Sequence, residues 1–144
     1  DEFQRYQIVS CCADHFSERR IEGLREIYLK NHDIDEVLEA MNEDPEWYEK
    51  PFREGNTIYS RKNPYDKEGY ENAETDEERN RAYCHCGKIR DRLEKVPSTY
   101  CYCGSGWYRQ IWEGITGKPV RIELLKSLTN GDDECSFAIN LNLQ

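Results

Sequence analysis

One five-residue phrase is written twice in this sequence: YCHCG at 83–87 and YCYCG at 100–104. Each half ends Cys-x-Cys-Gly. In extended chain, residues i and i+2 face the same side. A following Gly supplies a left-handed turn that lets backbone N–H groups point at sulfur. Cys84, Cys86, Cys101 and Cys103 together are therefore expected to form a four-thiolate donor set for tetrahedral zinc. Such a closed site leaves no open coordination position. It acts as a clamp whose binding energy is folding energy. The one-residue spacing is tighter than the two or more residues usual between zinc cysteines, so other readings stay open. They are disulfides in an exported protein, an iron–sulfur cluster, and redox or nucleophilic thiols. His85, between two ligands, is expected to face solvent.

Seven cysteines is an odd number, and an all-disulfide framework would leave one unpaired. A chain of 144 residues is also long enough to do without stapling. Both points lead us to expect reduced thiols and a cytoplasmic setting. A net charge of −9 argues against nucleic acid, whose phosphates need clustered Lys and Arg, and against anionic membranes. No apolar run approaches the ~20 residues of a membrane span. Only 37% of the residues are hydrophobic, so the core must lean on the ten Tyr and three Trp.

The chain is expected to be one α+β domain over 1–144, with N-terminal helices packed on a small antiparallel sheet closed by a C-terminal β-hairpin. Residues 1–50 have helical periodicity. Ile8, Val9, Cys12 and Phe16 mark a first helix. Ile21, Leu24, Ile27 and Tyr28, behind an N-cap at Ser17, mark a second. Ile34, Val37, Leu38 and Met41, behind a capping box of Asp33 and Glu36, mark a third. Asp44-Pro45 starts a helical turn.

Residues 51–74 form a loop or lid with one short strand at Thr57–Arg61. A solvated loop is the plainer reading, and Tyr65 and Tyr70 keep a lid open as the alternative. Residues 75–144 hold the metal clamp, the amphipathic helix and the hairpin. Thr75 with Glu78 caps a helix running to Tyr83, and a further helix is expected over 88–95. Trp107, Tyr108, Ile111, Trp112 and Ile115 share one face of a helix closed by Gly117. Val120–Leu128 and Cys135–Leu141 alternate as strands around the turn NGDD.

Other polar features have plain readings. Cys11 and His15, at i and i+4, fit a buried Cys and a boundary His better than a nucleophile pair. Asp132, Asp133 and Glu134 suit turn chemistry. GSG at 104–106 suits flexibility after a metal ligand better than an anion site.

From YCYCGSGWYRQIWEGITGKPVRIELLKSLTNGDDECSFAINL the chain resembles 4-vinyl-reductase-like small-molecule-binding domains and the related L-2-amino-thiazoline-4-carboxylate hydrolase-like bacterial proteins. The likeness covers the last third: a helix ending at Gly117, a strand, a Gly-acidic turn, and a last strand carrying Cys135, Phe137 and Ile139. It implies an α+β fold around an apolar ligand cavity, with a cysteine-rich zinc site nearby in some relatives. No set of catalytic residues carries over.

The leading expectation is a zinc-stabilised cytoplasmic domain that binds a hydrophobic or aromatic small molecule. Trp107, Tyr108, Ile111, Trp112, Cys135, Phe137 and Ile139 would line the pocket or its core-facing wall. Such a pocket requires an enclosed volume of a few hundred Å³ between helix and hairpin; a solid core there would count against the binding domain and move weight to a protein-interaction module. A homodimer is compatible with this reading. The alternative is a hydrolase of a C–N bond in a small cyclic amidine, which calls for His or acidic side chains near Cys135. A third is an acidic protein-interaction module with an exposed apolar patch.

Overall fold

A computed structural model describes residues 1–143. Four helices come first: α1 (Glu2–Ser10), α2 (Glu18–Asn31), α3 (Ile34–Asn42) and the single turn α4 (Pro45–Tyr48). Strands β1 (Phe52–Glu54) and β2 (Thr57–Arg61) follow, then α5 (Lys67–Glu71) and α6 (Asp76–Tyr83). The long helix α7 (Tyr102–Thr116) precedes β3 (Arg121–Lys126) and β4 (Ser136–Asn140). The expected α+β class is therefore observed.

Local signals set most helix boundaries. Ser17 caps α2 by accepting from Arg20 N–H, and Thr75 with Glu78 forms the full capping box of α6. Gly117 ends α7 at φ 70°, where a side chain would be strained. Asp33 caps α3 through Asp35 N–H, whereas Glu36 pairs with Asn31 and closes no box.

Elsewhere the structure corrects the reading. The first helix stops at Ser10, and its following turn leaves Cys11 and His15 exposed. Residues 88–95 do not form an α-helix; they turn irregularly into a 3-10 turn at Leu93–Lys95. So short a helix is marginal alone, and this stretch instead drops Ile89 and Leu93 into a small satellite core with Tyr83, Cys84 and Leu128. The segment read as loop contains β1 and α5.

The sheet is antiparallel in the order β1-β2-β4-β3. The predicted hairpin of β3 and β4 exists, but β4 is central and also pairs with β2. Ile58, Ile139 and Ile122 form one cross-strand row, and Ser60, Phe137 and Leu124 the next. This face packs on α7, whose Ile111, Trp112 and Ile115 are buried. Full burial of such side chains stabilises by about 1.5–3 kcal/mol each.

Helices α1 and α2 cover the other side of α7. A Cβ on Gly106 would stand 1.9 Å from the Ser10 carbonyl oxygen, so the α1–α7 approach requires glycine there. Gly104 likewise abuts the tip of the Phe137 ring, where a Cβ would lie 2.8 Å from Cζ. GSG is thus a packing motif, not a flexible joint. Among the described residues no helix is long and apolar enough to cross a membrane.

Candidate functional site

Two neighbouring features hold the polar chemistry: a group of thiols and a cleft. The two cysteine phrases meet around the satellite core, which Cys84, Cys86, Cys101 and Cys135 all join. Cys103 belongs to the first turn of α7. Cys84 Sγ lies 3.7 Å from the Cys86 carbonyl oxygen, and Cys101 Sγ is 3.0 Å from Ser127 Oγ. Burial, then the neighbouring thiols, pushes the Cys103 thiol up to about 11; burial above all pushes Cys135 up to about 12. Thiols so disfavoured as thiolates are poor nucleophiles. Among the described residues all cysteines are free, and no three His, Cys, Asp or Glu side chains stand grouped to hold a metal ion. The repeat therefore brings its four cysteines into one neighbourhood, with Cys135 as a fifth that sequence reasoning placed elsewhere.

The expected cavity between α7 and the hairpin is filled. Ile111, Trp112 and Ile139 are core residues at 3%, 2% and 0% exposure. Tyr108 is buried as well. The open volume lies on the other side of Trp107: a cleft of about 1460 Å³. Its walls come from α4 and the turn after it, the exit of β2, the 63–71 segment and the start of β4. Of the predicted pocket residues, Trp107 and Phe137 line it. Tyr65 and Tyr70 line it too. Their segment is held down by Tyr65 N–H donating to the Tyr83 carbonyl and Asp66 N–H to that of Ala82. It forms a wall of the cleft.

At the cleft floor stand Lys62 and Glu49, which sequence reasoning missed. Lys62 is half-buried, with Nζ 5.0 Å from the Trp107 ring centroid and 5.1 Å from that of Tyr108. Among the described residues no carboxylate lies within ion-pair distance of it. Its backbone is held from both sides. Lys62 N–H donates to the Cys135 carbonyl at 2.9 Å, and the Tyr83 hydroxyl donates to the Lys62 carbonyl at 2.5 Å. Burial holds the Lys62 amine below the usual lysine range, opposed by the charge of Glu49.

Glu49 is held just as firmly. Its Oε2 accepts from Asn63 N–H at 2.7 Å and its Oε1 from the Tyr108 hydroxyl at 3.1 Å. Burial raises its carboxyl above the ordinary value, with Lys62 pulling the other way. Glu49 and Lys50 both adopt positive φ, 60° and 50°, and Pro51 follows. Left-handed backbone at non-glycine residues costs on the order of 1–3 kcal/mol each and clusters at functional sites. Arg20 fixes the turn from outside, pairing with Asp44 at 2.8 Å and lying 4.1 Å over the Trp47 ring. Ser60 adds a buried hydroxyl with no partner of ordinary hydrogen-bond geometry, also facing the cleft.

His85 lines the cleft, its Nε2 2.5 Å from the Asn63 carbonyl oxygen. Glu134 lines it as well, between Arg61 and Lys126 at 3.7 and 3.6 Å. The Cys135 side chain itself joins the thiols. Asp132 serves the turn, accepting from Ser127 N–H at 2.9 Å.

Residues 7–144 match the model of a family described as Family of unknown function (DUF6144). No curated protein and no solved structure matches the chain.

Proposed function

Because the chain belongs to the family of unknown function DUF6144, its activity has to be read from its own side chains, and we propose that it is a small-molecule-binding domain. The ligand has a flat apolar body and a carbonyl-bearing end. The body lies against Trp107 in the cleft, and the carbonyl end meets Lys62. One observation carries this reading: the Lys62 amine lines the cleft with aromatic rings beside it and no described carboxylate within ion-pair distance. Ligand sites usually combine such apolar walls with a few fixed polar groups. The resemblance to 4-vinyl-reductase-like domains supports the same class. The test is a tryptophan-fluorescence or calorimetric screen of small aromatic acids, ketones and phenols. Binding should saturate and should weaken in Lys62→Met and Trp107→Ala. A screen with no saturable binder rejects the proposal.

We further propose that Cys84, Cys86, Cys101 and Cys103 hold one structural zinc ion. Their shared neighbourhood supports this, and a bound metal would offset the burial that disfavours the thiolates of Cys84 and Cys103.

The exposed rim favours a second reading. Trp47, Phe52, Tyr65 and Leu125 are all more than 40% exposed and border the cleft. Such a border suits a peptide or protein partner. Simultaneous failure of the small-molecule screen and retention of a peptide from a random library would select it.

A further inference from the structure

We infer that Lys62 is a nucleophilic amine that condenses with an aromatic aldehyde or ketone in the cleft to form an imine, with Glu49 as its proton carrier. The inference rests on the binding reading above and specifies its chemistry.

Geometry comes first. The Lys62 stem leaves a backbone held on both sides, by Cys135 and by Tyr83. Its amine has the Trp107 and Tyr108 rings about 5 Å away and borders open volume. Glu49 is aimed by Asn63 and Tyr108 from a left-handed turn. The two groups influence each other electrostatically yet stand beyond the 4.0 Å of an ion pair. Both residues line the same cleft, so a carbonyl compound held there borders each of them. Preorganised groups on either side of a reacting centre are what covalent catalysis requires.

The opposite environmental shifts agree with the roles. Burial shifts the lysine down, opposed by the charge of Glu49, and the glutamic acid up, opposed by Lys62 and by the bonds from Asn63 and Tyr108, so each moves towards its neutral form. The tilt towards acid–base work comes from one desolvated pocket acting on groups of opposite charge.

The step balances without a redox partner. The Lys62 nitrogen lone pair forms a C–N bond as the carbonyl π pair moves to oxygen, which takes the Glu49 proton. The nitrogen returns a proton to Glu49. Glu49 then protonates the hydroxyl, which leaves as water while nitrogen forms the second bond to carbon and loses its last proton to the carboxylate. One carbonyl compound and one amine become one imine and one water.

The experiment uses the full chain with 4-hydroxybenzaldehyde and borohydride, followed by intact-mass measurement and peptide mapping. One adduct is expected, on Lys62, forming at least about tenfold faster than on the other lysines, since desolvation alone raises the free-amine fraction by such factors. Lys62→Arg should abolish that adduct, and Glu49→Gln should slow it. Lys95→Arg, exposed and outside the cleft, should leave unchanged both the adduct and the binding of 4-hydroxybenzyl alcohol, which has no carbonyl, as read by tryptophan fluorescence. Labelling spread evenly over the lysines of the wild-type chain overturns the inference. If the alcohol still binds in that case, the binding reading stands; if neither probe is taken up, both fall. The wild-type peptide map decides the matter even where a variant fails to fold.

Discussion

The Tyr83 hydroxyl donates to the Lys62 carbonyl oxygen at 2.5 Å and accepts from Cys135 N–H at 3.0 Å. One side chain thus ties the first cysteine phrase to the residue at the cleft floor and to the start of the last strand. Tyr83→Phe leaves a buried donor and acceptor unsatisfied, at a cost of about 1–3 kcal/mol. Denaturant unfolding measures this, and an unchanged midpoint would show that the hydroxyl is dispensable.

Two glycine-to-alanine substitutions should have opposite signs. Gly106→Ala drives a methyl into the Ser10 backbone and should destabilise by about 3 kcal/mol or more. Gly23→Ala, in the interior of α2 with nothing within 4 Å of the new methyl, should stabilise by roughly 0.5–1 kcal/mol. Thermal melts of the two variants check the contrast; equal effects would refute the close helix contact.

Stability should depend on pH through Glu49. Its folded pKa is raised, so the folded state binds its proton more tightly than the unfolded state. The resulting stabilisation is present in acid, below the ordinary glutamate value. It is lost as pH rises from that value through the raised folded one. Glu49→Gln removes this loss. Its stability relative to wild type should improve as pH climbs from about 4 towards neutrality, a window that starts at the reference glutamate pKa. A difference that is flat with pH would show that Glu49 is not desolvated.

Protein purified without added metal should contain one zinc per chain by elemental analysis. Cys86→Ser should then destabilise by several kcal/mol, since metal binding energy is folding energy. His85→Ala should cost only the bond to the Asn63 carbonyl, about 0.5–1.5 kcal/mol. A metal content near zero, with disulfides found by mass mapping, would reject the zinc proposal.

What the sequence made legible was local. The face of α7, the Ser17 cap and the Thr75–Glu78 box are patterns a few residues long, and each appears in place. The paired cysteine phrases converge for the same reason, being joined by a short connection. The β2–β4 pairing was not legible, because Ile58 and Ile139 lie far apart in sequence and nothing local specifies partners. Strand β1 was too short to show a period. Lys62 and Glu49 were hidden in a chain with 20 basic and 29 acidic residues, where no charge stands out by type. Only their burial beside Trp107 and Tyr108 distinguishes them. Trp107 and Phe137 line the cleft while Ile111, Trp112 and Ile139 pack into the core, because an amphipathic stripe tells which face is apolar, not whether a cavity or packed side chains meet it.

The central position of β4 also governs when the cleft can exist. During synthesis β1 and β2 leave the ribosome some eighty residues before their partner, and a hairpin so small is marginal by itself in water. Lys62 follows β2 directly, and its amide waits for the Cys135 carbonyl. Until the segment 135–140 emerges, the lysine is an ordinary solvated amine on an unformed sheet. Ribosome-stalled chains that stop short of residue 135 should therefore lack the cleft, and its chemistry should begin only after the last strand has been inserted between two strands made before it.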